Sequence, residues 1–269
     1  MENLLSKENR TSLMGISILL VFLHHLALYS ESCYETSLPF LWLFSKGNVG
    51  VDFFLLTSVF GLSHAIKRTN IATFYKRRFR RLYPLYIAYL SIVAIFFCEW
   101  RGYSIIKNIF LQISGLIVFS PLSQGCNYFE WYTPTLTIIY ITFPLLFKMG
   151  EYVSRRHILV ELICLCLLAA LSVICIKREF VYYNAASRLP IVFTAIMVYF
   201  HSINDSTSRL YTLAIVSAII SVYLAKYEVL STSLCMPVFL IVLSQIRIEW
   251  ASFRFFAFIG KYSFEIYLT

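Results

Sequence analysis

The sequence predicts an all-α protein, a polytopic transmembrane bundle of about 9–10 membrane helices, on three observations. Of its 269 residues 59% are hydrophobic and only 14% charged, against roughly a quarter charged in a soluble domain. The mean hydropathy is +0.73. The apolar residues gather in runs near 13–30, 48–66, 82–98, 131–147, 158–176, 189–201, 209–225, 232–246 and 256–269, and most of these approach the roughly 17–25 residues that cross the hydrocarbon as a helix. No repeat, low-complexity tract or soluble domain interrupts them, so 1–269 reads as one membrane domain.

The first run follows Lys7 and Arg10 and is not trailed by a convincing small-residue cleavage site, so it is a retained span rather than a signal peptide. Ahead of the second run, Gly47 and Gly50 predict a turn. Asp52 then falls at the membrane edge, within reach of solvent. Ser58 is expected to bond to the carbonyl four residues earlier or to a neighbouring helix. The third run begins beyond "KRTNIATFYKRRFRR", residues 67–81, which hold seven Lys or Arg, and Pro84 is placed in its first turn, where proline is tolerated. The run 105–120 is either a further span or a helix lying in the interface. Glu130, Trp131 and Tyr132 suit an interfacial belt, with Pro134 and Pro144 bracketing the span that follows.

Charge sets the expected orientation. The net charge is +9, and positive loops stay cytoplasmic. With 67–81 inside, the N-terminus and the segments from Lys148 and Arg247 are inside too, provided that 105–120 does not cross. The loops near 31–47, 99–130, 177–188 and 226–231 then face out. A nucleic-acid footprint is set aside, because a membrane protein needs basic loops beside anionic headgroups in any case. The seven cysteines show no metal-ligand spacing, and no metal is expected. Cys33 and Cys126 share the outward side; unpaired thiols are the expectation and a disulfide between them the alternative.

Two features carry chemistry. His24 and His25 interrupt the first run, where an ionisable side chain is expensive and faces the protein interior. A helix-packing hydrogen bond is the plain reading. The functional one is proton transfer, for which imidazole is best poised near neutral pH. The other feature is Arg77, Arg78, Arg80 and Arg81, four arginines in five residues. They are a topology anchor, or a fork for the phosphates of a nucleotide diphosphate.

The order of these pieces resembles the acyltransferase 3 family of integral membrane acyltransferases. The residues that carry the likeness are "MGISILLVFLHH" in the first span, "GNVGVDFFLLTSVF", "FYKRRFRRLYP", "WYTPTLTIIYITFPLL", "SRLPIVFTAIMVYF" at 187–200 and the final "FIGKYSFEIYLT". The resemblance implies an O-acyltransferase that moves an acyl group, acetyl first, from acetyl-CoA or another acyl-CoA to a hydroxyl of a cell-surface polysaccharide or lipid-linked glycan. It further implies a bacterial inner-membrane location, with acyl-CoA as donor substrate, no bound cofactor, and lipids and the glycan as partners. His25 matches the family's first-span histidine, as general base or acyl relay, with His24 as its packing neighbour. Arg78 and Arg81 match the pair expected at the coenzyme A phosphates. Arg188, Asp52, Ser58, Trp131 and Tyr132 are carried over as cavity or substrate residues. Three departures stand beside the match. Met14 replaces the first-span basic residue, with Arg10 about 6 Å lower on the helix. Val59 replaces a glycine. The chain stops where relatives continue through another span, so a missing last span is expected. These departures leave a degenerate family member, or a glycan or lipid transporter, as the alternative.

Overall fold

The structure, a computed structural model, describes residues 7–33, 44–96, 105–119, 131–177, 185–204, 206–245 and 254–268. Cys126, Glu130 and Arg247 lie outside them, as does the Cys33 side chain, so the Cys33–Cys126 pairing falls outside the described residues.

Among those residues every regular element is helical. In chain order they are α1 (Lys7–Cys33), a 3₁₀ turn (Lys46–Asn48), α2 (Val49–Arg68), α3 (Ile71–Phe96), α4 (Ile105–Ser114), a 3₁₀ turn (Leu116–Phe119), α5 (Tyr132–Ser154), α6 (Ile158–Lys177), a 3₁₀ turn (Ala185–Arg188), α7 (Leu189–Ile203), α8 (Thr207–Tyr223), α9 (Glu228–Gln245), α10 (Arg254–Lys261) and α11 (Ser263–Leu268). The segments Asn9–Ser30, Lys46–Arg68, Tyr132–Ser154 and Ile158–Cys175 are long and apolar enough to cross a membrane. The all-α, polytopic reading therefore holds. On α6, Leu165, Ala169 and Ser172 are buried while Ile163, Leu167, Leu171 and Ile174 are exposed along the opposite face. A helix that is apolar all round and still turns one face outward is suited to lipid, not water.

Packing divides the chain into two compact units, one of Met1–Gly61 and Thr194–Tyr267 with Thr269, the other of Leu62–Phe193 with Leu268. In the first, α1 and α10 cross so closely that a Cβ on Gly15 would overlap the Phe256 carbonyl oxygen, and one on Gly260 the Thr11 carbonyl oxygen. Such backbone-to-backbone contact is the usual basis of small-residue helix pairing in membranes. In the same unit α8 and α9 are clasped by Ser221, whose hydroxyl lies 2.8 Å from the Ser231 carbonyl oxygen and 2.9 Å from Cys235 Sγ.

The second unit settles the ambiguous run 105–120. α4 has 10 residues, about 15 Å of helix and half of a crossing. It is stopped by Gly115, whose φ of 77° only glycine adopts freely. The Tyr83 hydroxyl donates to the Ile113 carbonyl at 2.6 Å and the Tyr86 hydroxyl to Gln112 Oε1 at 2.8 Å. Ile117 and Val118 then bury themselves with Leu111 and Ile138. An irregular turn packed in this way is tolerable because the protein supplies its partners.

Three expectations change. Pro84 is not in a first turn: α3 starts at Ile71, the arginine run is itself helical, and Pro84 sits in the helix interior. Pro144 is likewise inside α5 rather than at its end. The run 256–269 is not one span but α10 and α11, broken at Tyr262.

Candidate active site

In the first unit the histidine pair lies on α1. His24 is half-buried and His25 exposed, their ring centroids 5.4 Å apart and tilted by 56°. His24 Nδ1 lies 2.7 Å from the Ser45 carbonyl oxygen. The segment that follows Ser45 is pressed against α1. Gly47 lies in the 3₁₀ turn that precedes α2 and Gly50 in the first turn of α2; both also bring the backbone close to α1. A Cβ at Gly47 would overlap the Leu20 carbonyl oxygen, and one at Gly50 the Ser17 carbonyl oxygen.

Asp52 is not solvated. It is 1% exposed, in the first turn of α2, where the helix dipole favours an anion. Thr232 Oγ1 donates to its Oδ2 at 2.8 Å and Ser233 Oγ to its Oδ1 at 2.9 Å. A carboxylate buried at this depth needs such partners, and they come from α9, 180 residues away. Thr232 and Ser233 were missed by the sequence reading, although "STS" at 231–233 is a hydroxyl cluster at the mouth of an apolar run. Ser58 is half-buried. The carbonyl bond expected of it belongs instead to its neighbour Thr57, which donates to Phe53 and Phe54.

The second unit holds the arginines. Arg77, Arg80 and Arg81 are exposed, and Arg78 is half-buried, its guanidinium 5.7 Å from the centre of the Phe74 ring. Phe74 stacks on Phe143 at 6.0 Å, and Phe143 meets Phe147 at 5.9 Å. Arg78 precedes the apolar stretch of α3. Burial lowers its pKa from the ordinary value, nearby Tyr140 opposes this, and Arg81 and Arg77 add to it; an arginine stays charged throughout. Arg78 Nε is buried with no hydrogen-bond partner among the described residues. A cation held on an aromatic wall, beside exposed Arg81, can receive a phosphate edge-on.

Arg188, which ends the 3₁₀ turn before α7, is 3% exposed and stacks at 5.1 Å over Trp131, the residue ahead of α5. Desolvated cation–π contacts of this kind contribute up to about 2 kcal/mol. Tyr132 is buried and meets Trp131 edge-on at 5.8 Å. Arg188, Trp131 and Tyr132 are thus brought together, as are Arg78 and Phe74; Asp52 is joined to α9. No group of three or more metal-ligating side chains forms among the described residues.

A family model described as an acyltransferase domain, Acyl_transf_3, matches residues 13–269. The chain belongs to the acyltransferase 3 family. No curated protein and no solved structure matches it. As a member of the acyltransferase 3 family it is a multi-pass membrane acyltransferase. Of the departures from the family pattern, Val59 is 1% exposed and takes a place in the core. The Arg10 guanidinium lies against Gly61 of α2.

Proposed function

We propose that the chain transfers a small acyl group, acetyl first among them, from an acyl-CoA to a hydroxyl of a cell-surface polysaccharide or lipid-linked glycan, at the bacterial inner membrane with its N-terminus cytoplasmic. The family match over residues 13–269, which includes both the α1 histidines and the α3 arginines, is the observation that carries this reading.

The roles follow from chemistry. Arg78 and Arg81 hold the coenzyme A phosphates through charge-assisted bonds, which are about twice as strong as neutral ones. His25 accepts the proton of the acceptor hydroxyl as the oxygen attacks the thioester carbonyl. The C–S bond then breaks, and the proton passes from His25 to the departing thiolate, leaving an ester and free coenzyme A. Half-buried Trp131, backed by buried Tyr132 and Arg188, offers the aromatic face of the kind that receives a sugar.

The test supplies membranes containing the protein with radiolabelled acetyl-CoA and follows label into glycan. Wild type transfers label; His25→Ala transfers none while accumulating normally. Full activity in His25→Ala removes histidine catalysis. Met14, at the place of the family's basic residue, favours a second reading, an inactive member. That reading gains if wild type transfers neither acetyl nor succinyl groups and a Met14→Arg variant restores transfer.

A further inference from the structure

We propose that His24 is a positioning residue: its bond to the Ser45 carbonyl fixes the turn of α1 that carries His25. A carbonyl oxygen can only accept, so Nδ1 donates. The 2.7 Å bond joins residues 21 apart and is at the short end of its class.

It is the last rung of a ladder. Gly50 packs on the Ser17 carbonyl, Gly47 on the Leu20 carbonyl and on His24 Cβ, and Ser45 on the His24 ring. Positions 17, 20 and 24 are spaced three and four apart, so they share one face of α1. The first two rungs are backbone contacts that admit only glycine. The third is a polar side-chain contact, and it lies at the histidine turn. The segment that forms the ladder is itself held, because Asp52 ties the first turn of α2 to Thr232 and Ser233. α1 is therefore packed against a segment that is anchored at its other end.

His25 follows His24 by about 100° around the helix. Its direction is set by how α1 is rotated at this turn, and the His24–Ser45 bond is the stop that sets that rotation. Resting on the reading of His25 as the base, this makes His24 responsible for where that base faces, and it accounts for the doubled histidine without giving the second ring a proton to carry.

Asparagine and glutamine separate the bond from the ring. The Asn amide nitrogen falls near the place of Nδ1 and reaches Ser45; the Gln amide falls near Nε2 and does not. The full-length protein in lipid nanodiscs would be compared as wild type, His24→Ala, His24→Asn, His24→Gln and Gly47→Ala. The first readout is the rate of carbethoxylation at His25 by diethyl pyrocarbonate, followed by peptide mass spectrometry. The second is kcat and KM with acetyl-CoA.

His24→Ala and His24→Gln are expected to change His25 labelling at least threefold, and to lower kcat at least tenfold with KM for acetyl-CoA held within twofold. His24→Asn returns both to within twofold of wild type. Gly47→Ala leaves His24 in place but pushes the segment off α1, and it reproduces the alanine result. Where His24→Ala does not accumulate, the Asn and Gln pair decides. Unchanged His25 labelling in the Ala, Gln and Gly47 variants overturns the assignment, as does an Asn variant no better than Gln. If wild type transfers nothing from any acyl-CoA, the acyltransfer reading falls, and the labelling still decides the role of His24.

Discussion

Asp52 offers the most direct test of how the first unit is held together. Its carboxylate is 1% exposed and accepts hydroxyl bonds of 2.8 and 2.9 Å from Thr232 and Ser233. Hydrogen bonds to a charged group contribute about 1.5–3 kcal/mol in soluble proteins. Inside membranes, double-mutant cycles on helix–helix bonds average about 0.6 and reach about 1.7 kcal/mol, because the unfolded chain finds other partners. The charge places these two bonds near the upper end, at about 1–2 kcal/mol of coupling each. Asp52→Ala strands two hydroxyls and removes an anion from a helix N-terminus, so a loss of about 3 kcal/mol is expected. Thr232→Val and Ser233→Ala cost less each, since the carboxylate keeps the other hydroxyl donor. Reversible unfolding of the purified protein in mixed micelles, run as cycles of Asp52→Ala with each hydroxyl variant, measures the coupling. Coupling below about 0.3 kcal/mol in both cycles would refute the clasp and return Asp52 to the solvated position that its place in the sequence suggests.

Further predictions concern packing and the arginines. Gly115→Ala places a side chain at a φ of 77°, which costs roughly 1–2 kcal/mol, with a Cβ 2.9 Å from the Pro134 carbonyl oxygen and 3.2 Å from Thr137 Cβ; thermal unfolding should register a larger loss than the backbone cost alone, and a change within about 0.5 kcal/mol would mean the turn is not built as described. Gly15→Ala and Gly260→Ala each force α1 and α10 apart. Because they strike one contact from its two sides, the double variant should be far less than additive in stability, and simple additivity would argue against the shared crossing. Arg78→Lys keeps the charge but loses the planar face over Phe74, so KM for acyl-CoA is expected to rise about tenfold, or about 1.4 kcal/mol. Arg81→Lys should be milder, and equal effects would count against the aromatic wall as the reason.

Membership of a helical membrane class was legible in the sequence because it depends on local quantities. Composition, run length and the clustering of seven basic residues before one run are properties of neighbouring residues, and the bilayer filters on those same properties. The ordered motifs pointed to the acyltransferase 3 family on the same footing. Local patterns also misled where the rule was local and the answer was not. Pro84 read as a helix start, because the seven basic residues read as a loop; in the structure Lys67 and Arg68 end α2 and the other five lie in the first turns of α3 itself. Gly47 does fall in a 3₁₀ turn ahead of the span, but the contact that Gly47 and Gly50 make with α1 was not legible, because it depends on a second helix.

Only tertiary structure decided the partners. Asp52 sits beside solvent in the sequence and beside Thr232 and Ser233 in the fold, and no spacing rule links positions 180 residues apart. The fate of 105–120 turned on Tyr83, Tyr86 and Pro134, which supply the bonds and the wall that let a half-length helix stop at Gly115. The stack of Arg188 on Trp131 joins two motifs that the chain keeps 57 positions apart. In each case the physical reason is the same. A buried polar group must find its partner wherever the backbone brings one, whereas hydrophobicity needs no particular partner and so can be read residue by residue.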